Sequence, residues 1–274
     1  MTNPLVQYFR RPALYLKLPS GGVGYGPGAL DLPDNGEVPV YPMTAIDEIT
    51  SRTPDALFNG NAVVELIKSC VPNIKDPWTM PAIDLDPILV AIRTATTGNL
   101  MEIQTECPSC KEEAKYDVNL SGILASFNPG EYQSPLKIGE LLIKFKPLAY
   151  KDLNTVNMKQ FEVQRMIMEM EKIEGDPNER GRKTGEMVKG INEIAIQLIS
   201  NTIEYVKTPT DTVFDKEFII EFLQNCDKNT YDTIRETGVK LRETTEAKPL
   251  EMKCIHCGHE YKQPFTINVT DFFV

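Results

Sequence analysis

Cys107-Pro-Ser-Cys110 and Cys254-Ile-His-Cys257 are the two stretches on which the fold turns. Two thiolates separated by two residues can wrap one edge of a tetrahedral metal ion, and two such knuckles supply the four sulfurs of a closed structural zinc site. Residues 111–253 lie between them, where a compact zinc ribbon has about 15–20 residues, so the spacing alone does not make the motif. The flanks do. Met101-Glu-Ile-Gln-Thr-Glu106 precedes the first knuckle and Lys115-Tyr-Asp-Val-Asn-Leu120 follows it; Leu250-Glu-Met-Lys253 precedes the second and Tyr261-Lys-Gln-Pro-Phe-Thr-Ile-Asn-Val269 follows. Both read as strand, cysteine turn, strand: two copies of one hairpin, facing each other across one ion.

The expected ligands are Cys107, Cys110, Cys254 and Cys257, holding one zinc per chain. Four sulfurs close the coordination shell and leave no position for an activated water, so this zinc would organise structure rather than catalyse. Two alternatives stay open, a redox dithiol and free structural thiols. A thioredoxin-like dithiol opens a helix after a buried strand, whereas both knuckles here lead into polar, strand-like sequence. His256 and His259 are substitute ligands in principle, and the simpler expectation leaves them exposed on the knuckle. Cys70 and Cys226 stand singly on helical patterns, as small buried apolar side chains do.

Outside the knuckles the chain reads as α+β, with a mainly helical body, the small split ribbon and an extended amino-terminal arm. In residues 1–42, glycines and prolines separate short apolar runs, as in an arm of short strands and turns. Its run Gly22-Val-Gly-Tyr-Gly-Pro-Gly28 lacks the preceding strand and following helix that make a phosphate cradle. Residues 43–147 carry three short helices and the first knuckle. Thr44 caps the first of these, Asn61 the second (Ala62 to Cys70) and Asp86 the third, with Pro87 inside its start and Gly98 past its end. Between the second and third, Trp78 is expected to anchor a loop on the core. Residues 148–247 form a helical insertion of two long helices, the second running through Ile203, joined by a polar connector from Glu174 to Gly185. Two helices follow, Lys216 to Cys226 capped by Asp215 and a more polar one from Lys228 to Thr245. Met158, Met166, Met168, Met170 and Met187 are expected to fill gaps in the core. Residues 248–274 complete the ribbon.

Composition bounds the function. The chain has 274 residues, 41% hydrophobic and 25% charged, enough for a real core without disulfides. Its 39 acidic against 29 basic residues give a net charge of -10, which repels phosphate backbones and anionic membranes. Neither nucleic acid nor membrane is therefore an expected partner. A nucleic-acid adaptor would need a basic face around Lys111, Lys137, Lys144, Lys146, Lys151 and Lys159. No apolar run reaches membrane-spanning length, and Arg10, Arg11, Pro12 and Lys17 interrupt any leader-like core, so no secretory signal is expected. The two histidines both lie in the second knuckle, which leaves no separate base for a serine or cysteine nucleophile. Acidic pairs such as Asp84 with Asp86, or Asp47 with Glu48, fall at expected helix starts, where the dipole favours them. A two-carboxylate hydrolase, such as a cell-wall enzyme, finds no pair marked above the others. No catalytic or cofactor-binding residue is assigned.

Val40-Tyr-Pro-Met-Thr-Ala-Ile-Asp-Glu48, Thr53-Pro-Asp-Ala-Leu-Phe-Asn-Gly-Asn-Ala62, Ile67-Lys-Ser-Cys-Val-Pro72, Pro81-Ala-Ile-Asp-Leu-Asp-Pro-Ile-Leu-Val-Ala-Ile-Arg93, the Cys107 knuckle, and Cys257-Gly-His-Glu-Tyr261 with Phe272-Phe273 together resemble the baseplate hub proteins of T-even-type contractile-tailed phages. The resemblance spans about 40–125 and 250–274. It implies a non-enzymatic structural component of the tail baseplate, acting at the central hub. The implied partners are other hub and central spike proteins and a possible trimer of this chain. The implied location is the virion baseplate, with the host cytoplasm during assembly. An assembly factor that loads the hub and leaves is the alternative. The arm and the Met43 to Trp78 region are the expected partner-facing surfaces.

Overall fold

The computed structural model describes residues 3–51, 60–171, 177–267 and 272–273. In chain order the elements are a 3-10 turn (Pro4–Tyr8), β1 (Leu14–Lys17), β2 (Glu37–Val40), α1 (Ala45–Ser51), α2 (Asn61–Cys70), α3 (Leu85–Thr97), β3 (Leu100–Glu106), β4 (Glu113–Asn119) and α4 (Leu120–Leu124). They continue with β5 (Leu136–Ile138), β6 (Leu141–Phe145), α5 (Tyr150–Glu171), α6 (Pro177–Thr202), β7 (Ile203–Lys207), β8 (Thr212–Val213), α7 (Lys216–Asn225), α8 (Lys228–Glu243), β9 (Leu250–Lys253) and β10 (Glu260–Gln263). The fold is α+β, with small antiparallel sheets. The chain divides into two compact units, 1–129 with 245–274, and 130–244.

Unit 1 is built around α3. Its run Pro87-Ile-Leu-Val-Ala-Ile92 is buried on every side, the signature of a central helix rather than a surface one. Val63, Val64, Leu66 and Ile67 of α2 and Leu16, Val38 and Val40 of the β1–β2 pair complete this core. Gly98, at φ 94°, ends α3 as expected. Two caps differ from expectation. Gly60, in a left-handed conformation, takes the cap position of α2, and Asn61 is its first helical residue. Asp84, not Asp86, stands at the cap of α3, and its side chain does not cap. Its carboxylate is fully buried and instead accepts from the Ser20 N–H (2.8 Å), the Ser20 hydroxyl (2.5 Å) and the Tyr25 hydroxyl (3.0 Å). The glycine-rich loop is thus tied to this carboxylate. Trp78 lies half-buried in a 3-10 turn (Pro77–Thr79) that Asp76 caps.

The arm is locally extended, and β1 and β2 pair with each other, Leu14 opposite Val40 and Leu16 opposite Val38. Arg10 moors what precedes them. Its Nη1 donates to Pro42 O (2.6 Å) and Asp47 Oδ2 (3.2 Å), and its Nη2 donates to both oxygens of Ser69 at 2.8 Å. Asp47 also serves α1: it accepts from the Thr44 N–H (2.7 Å), while Thr44 Oγ1 accepts from the Asp47 N–H (3.2 Å), a reciprocal capping box. Burial pushes the Asp47 carboxyl up, but the Thr44 and Ser69 hydrogen bonds and the Arg10 charge outweigh it and hold the pKa below its usual value. The stability this supplies is present above the ordinary carboxylate range and is lost as the pH falls through the lowered pKa. Arg10→Ala strips the charge partner from a carboxylate whose side chain is only 10% exposed. It is expected to cost about 2–3 kcal/mol at neutral pH, read from the denaturant unfolding of unit 1.

Unit 2 holds a four-stranded antiparallel sheet in the order β5-β6-β7-β8. Ile143 and Phe145 of β6 pack with Ile199 of α6, Ile203 and Val206 of β7, Ile219 and Leu223 of α7 and Ile234 of α8. Sequence patterning opens the helical insertion at 148. The compact unit opens at 130 because β5 and β6 belong to this sheet. Ile203 starts a strand rather than ending a helix, since Ile203 and Val206 turn into the core and Glu204 and Lys207 out of it. Asp215 and Asp227 cap α7 and α8 through backbone N–H groups, Asp215 as expected. Helix α6 starts at Pro177, inside the expected connector from Glu174 to Gly185, and residues 172–176 lie outside the described residues. The methionine expectation fails at Met166 and Met168, which are exposed, in the part of α5 distant in sequence from the buried Val156, whereas Met158 is half-buried. The Met170 and Met187 side chains lie outside the described residues, as does the Thr53–Asn59 part of the resemblance. No helix among the described residues is long and apolar enough to cross a membrane.

Candidate metal centre

The two knuckles form two hairpins of one design. β3 and β4 pair from Leu100 opposite Asn119 to Glu106 opposite Glu113, and β9 and β10 from Leu250 opposite Gln263 to Lys253 opposite Glu260. At each tip the first cysteine ends a strand and folds the chain back. The Cys107 N–H donates to Glu112 O (3.0 Å) and the Lys111 N–H to Cys107 O (2.9 Å); the Cys254 N–H donates to His259 O (2.9 Å) and the Gly258 N–H to Cys254 O (2.9 Å). The residue after each second cysteine has positive φ, 73° at Gly258 and 65° at Lys111. Lys111 is the one non-glycine residue with positive φ among the described residues, and an L side chain there costs about 1 kcal/mol. Its exposed ion pair with Glu106 (3.4 Å) returns little. Lys111→Gly is therefore expected to raise the stability of unit 1 by about 0.5–1 kcal/mol, measured on metal-loaded protein.

Alternation decides which strand faces are buried. Met101, Thr105, Ala114, Val118 and Met252 lie inside, while Glu102, Glu106, Glu113, Glu251 and Glu260 lie outside. The outer charges pair across strands, Lys115 with Glu102 at 2.6 Å and Lys253 with Glu260 at 3.3 Å. Thr105 and Tyr261 join the hairpins through a 2.6 Å hydrogen bond between their hydroxyls. Sequence reasoning missed this tie, although Thr105 and Tyr261 fall on inward positions where a hydroxyl wants a partner.

All four sequence-predicted sulfurs come together. Their Sγ atoms lie within 4.8 Å of one another, with Cys107–Cys257 and Cys110–Cys254 each at 3.7 Å. A disulfide would bring sulfurs to about 2.05 Å, and all six cysteines are free thiols. A tetrahedral ion with bonds of about 2.3 Å holds its sulfurs roughly 3.8 Å apart. The donor set therefore fits a tetrahedral, thiolate-preferring cation. Among the described residues no other group of three or more His, Cys, Asp or Glu side chains could hold a metal ion.

The backbone prepares the thiolates. The Cys257 N–H, with that of His256, pulls the Cys254 thiol down to about 6 against the burial that opposes it. The Glu112 N–H favours the Cys110 thiolate too, but burial and the three neighbouring sulfurs outweigh it and push Cys110 up to about 12. Four sulfurs at this distance share protons unless a cation takes their place. Cys107 and Cys254 are buried, Cys110 is half-buried and Cys257 exposed. His256 and His259 are exposed, the His259 ring lying parallel to Tyr261 at 6.3 Å. Cys70 is fully buried and takes a 3.8 Å contact from Arg10, and Cys226 is half-buried at the end of α7.

Of the lysines of the candidate basic face, Lys111 belongs to unit 1 and Lys137, Lys144, Lys146, Lys151 and Lys159 to unit 2, where Lys144 donates to Gln133 O and Lys159 to the Gln197 side chain. No curated protein and no solved structure matches the chain. A family model described as T4 bacteriophage base plate protein matches residues 29–274, and with that coverage the chain belongs to the T4 bacteriophage base plate protein family.

Proposed function

We propose that the chain is a non-enzymatic structural component of the baseplate hub, with one zinc held by Cys107, Cys110, Cys254 and Cys257. The observation that carries the baseplate role is family membership over residues 29–274. The hub position follows from the resemblance of residues 40–125 and 250–274. The zinc assignment follows from four thiols at tetrahedral spacing, a donor set that thiophilic, tetrahedral zinc prefers over harder cations. Bound there, the ion would supply structure and no reaction, because the four sulfurs complete its shell.

Partners in this reading are hub and central spike proteins, with a trimer of the chain as the symmetric option. Leu5, Val6, Tyr8 and Phe9, and Ile46 and Ile49 on α1, are the exposed apolar side chains that support a partner-facing amino-terminal region. The location is the virion baseplate, reached through the host cytoplasm during assembly. Quantitative mass spectrometry of purified infectious particles tests the role: a fixed low copy number is expected. Absence from particles, with presence in lysates, would overturn it in favour of an assembly factor. Metal analysis of reduced, folded protein is expected to find about one zinc per chain, and near-zero metal would overturn the zinc assignment.

A further inference from the structure

The carboxy-terminal segment of unit 1, residues 245–274, returns to that unit after the whole of unit 2. Strands β9 and β10 pair with each other and join no other sheet. An isolated two-stranded hairpin is marginal in water. The described side chains this segment buries include Met252, Cys254 and Phe272, a small apolar contribution. Its other ties among the described residues include the Thr105–Tyr261 hydrogen bond, the Lys248 N–H donating to Ser126 Oγ at 3.3 Å, and Arg93. The Arg93 guanidinium donates to Phe272 O and lies 5.3 Å from the centroid of the Phe272 ring. Against these, the four sulfurs bring two ligands from the segment and two from β3–β4, so a shared ion spans the join. Unit 2 contains none of the four ligands and has a core of its own.

We propose that the ion is the latch of a strap: residues 245–267 stay on unit 1 only while the metal is bound, and unit 2 keeps its fold in either state. This rests on the zinc reading of the site and adds a consequence to it, a chain with a metal-gated terminal segment beside a metal-indifferent insertion. Removing the ion leaves four clustered thiols with no charge partner and two hairpins joined by a few hydroxyl contacts, those of Thr105 and Tyr116 with Tyr261 among them, which are weak against the entropy of a freed segment. Release would free the Thr105 hydroxyl on β3 from Tyr261.

Hydrogen exchange read by mass spectrometry tests this on the full chain under reducing conditions, with zinc bound and after treatment with a zinc chelator, the metal content of each sample being counted. Amides of Leu250–Lys253 and Glu260–Gln263 are expected to exchange on the order of 100-fold faster without zinc, and those of Leu141–Phe145 and Ile203–Lys207 to stay within about twofold. Strap amides that keep their protection once zinc is gone would overturn the latch and leave the zinc site standing. Sheet amides of unit 2 that speed up in parallel would overturn the independence of the insertion. Protein that holds no zinc before treatment would overturn the site and the latch together. Cys257→Ser, which changes the exposed ligand, is expected to reproduce the chelated pattern without chelator.

Discussion

Cys254→Ser is expected to abolish stable metal binding and to unfold the ribbon of unit 1. Cys254 is the buried ligand of the second knuckle, and its thiol is the one that backbone N–H groups draw toward thiolate at neutral pH. A serine hydroxyl stays protonated and binds zinc poorly. Structural zinc in a four-cysteine peptide site contributes about 10–16 kcal/mol, comparable with the entire stability of an ordinary domain at about 5–15 kcal/mol. Losing a ligand should therefore cost several kcal/mol and leave the hairpins unpaired. Zinc content and thermal unfolding of the purified variant measure both effects, expected as a fall from about one ion per chain to a small fraction and a lower midpoint for unit 1's transition. Cys226→Ser provides the contrast: a half-buried cysteine at a helix end that is not one of the four clustered sulfurs, it should leave metal content unchanged and cost about 1 kcal/mol or less. Equal behaviour of the two variants would refute the four-sulfur site.

Phe145→Ala is expected to cost about 3–5 kcal/mol, and to do so in unit 2 alone. The ring is 2% exposed and is the largest side chain in the core that joins β6 to β7, α7 and α8. Ile143 and Ile203, its neighbours in that core, are fully buried and lie on strands held by the sheet ladder. The site therefore collapses poorly around the cavity, which places the cost in the upper part of the range. Because the two units have separate cores, the chain should melt in two steps, with the substitution shifting one step and leaving zinc content alone. A loss below about 1 kcal/mol, or a matching shift in both steps, would refute this account of the core.

The ribbon was legible in the sequence because each knuckle carries its own local evidence: two cysteines at turn spacing, and strand alternation on both sides. Thr44, Asp215 and Gly98 were legible for the same reason, since a cap acts within one helical turn. Legibility failed where a residue acts at a distance. Asp84 looks like a helix cap by position, yet it serves Ser20 and Tyr25, some sixty positions earlier, and no local pattern announces that. Arg10 likewise bonds to Pro42, Asp47 and Ser69 from what reads as a signal-breaking charge. The sheet of unit 2 was missed because β5 and β8 are two or three residues long and β7 continues directly from α6, so helical periodicity masked the change. Its signal was present in Leu141-Leu-Ile-Lys-Phe145, where Ile143 and Phe145 point inward and Lys144 does not.

Ser126 and Lys248, which lie on either side of unit 2 in sequence, meet at 3.3 Å. Chain that leaves and re-enters its host at one point behaves as a cassette, so that a short turn joining the two residues could replace everything between them without stretching the backbone. The host would keep α3, both cysteine turns and the buried carboxylate of Asp84. A deletion at this junction can therefore remove more than a hundred residues while both cysteine turns stay in the chain.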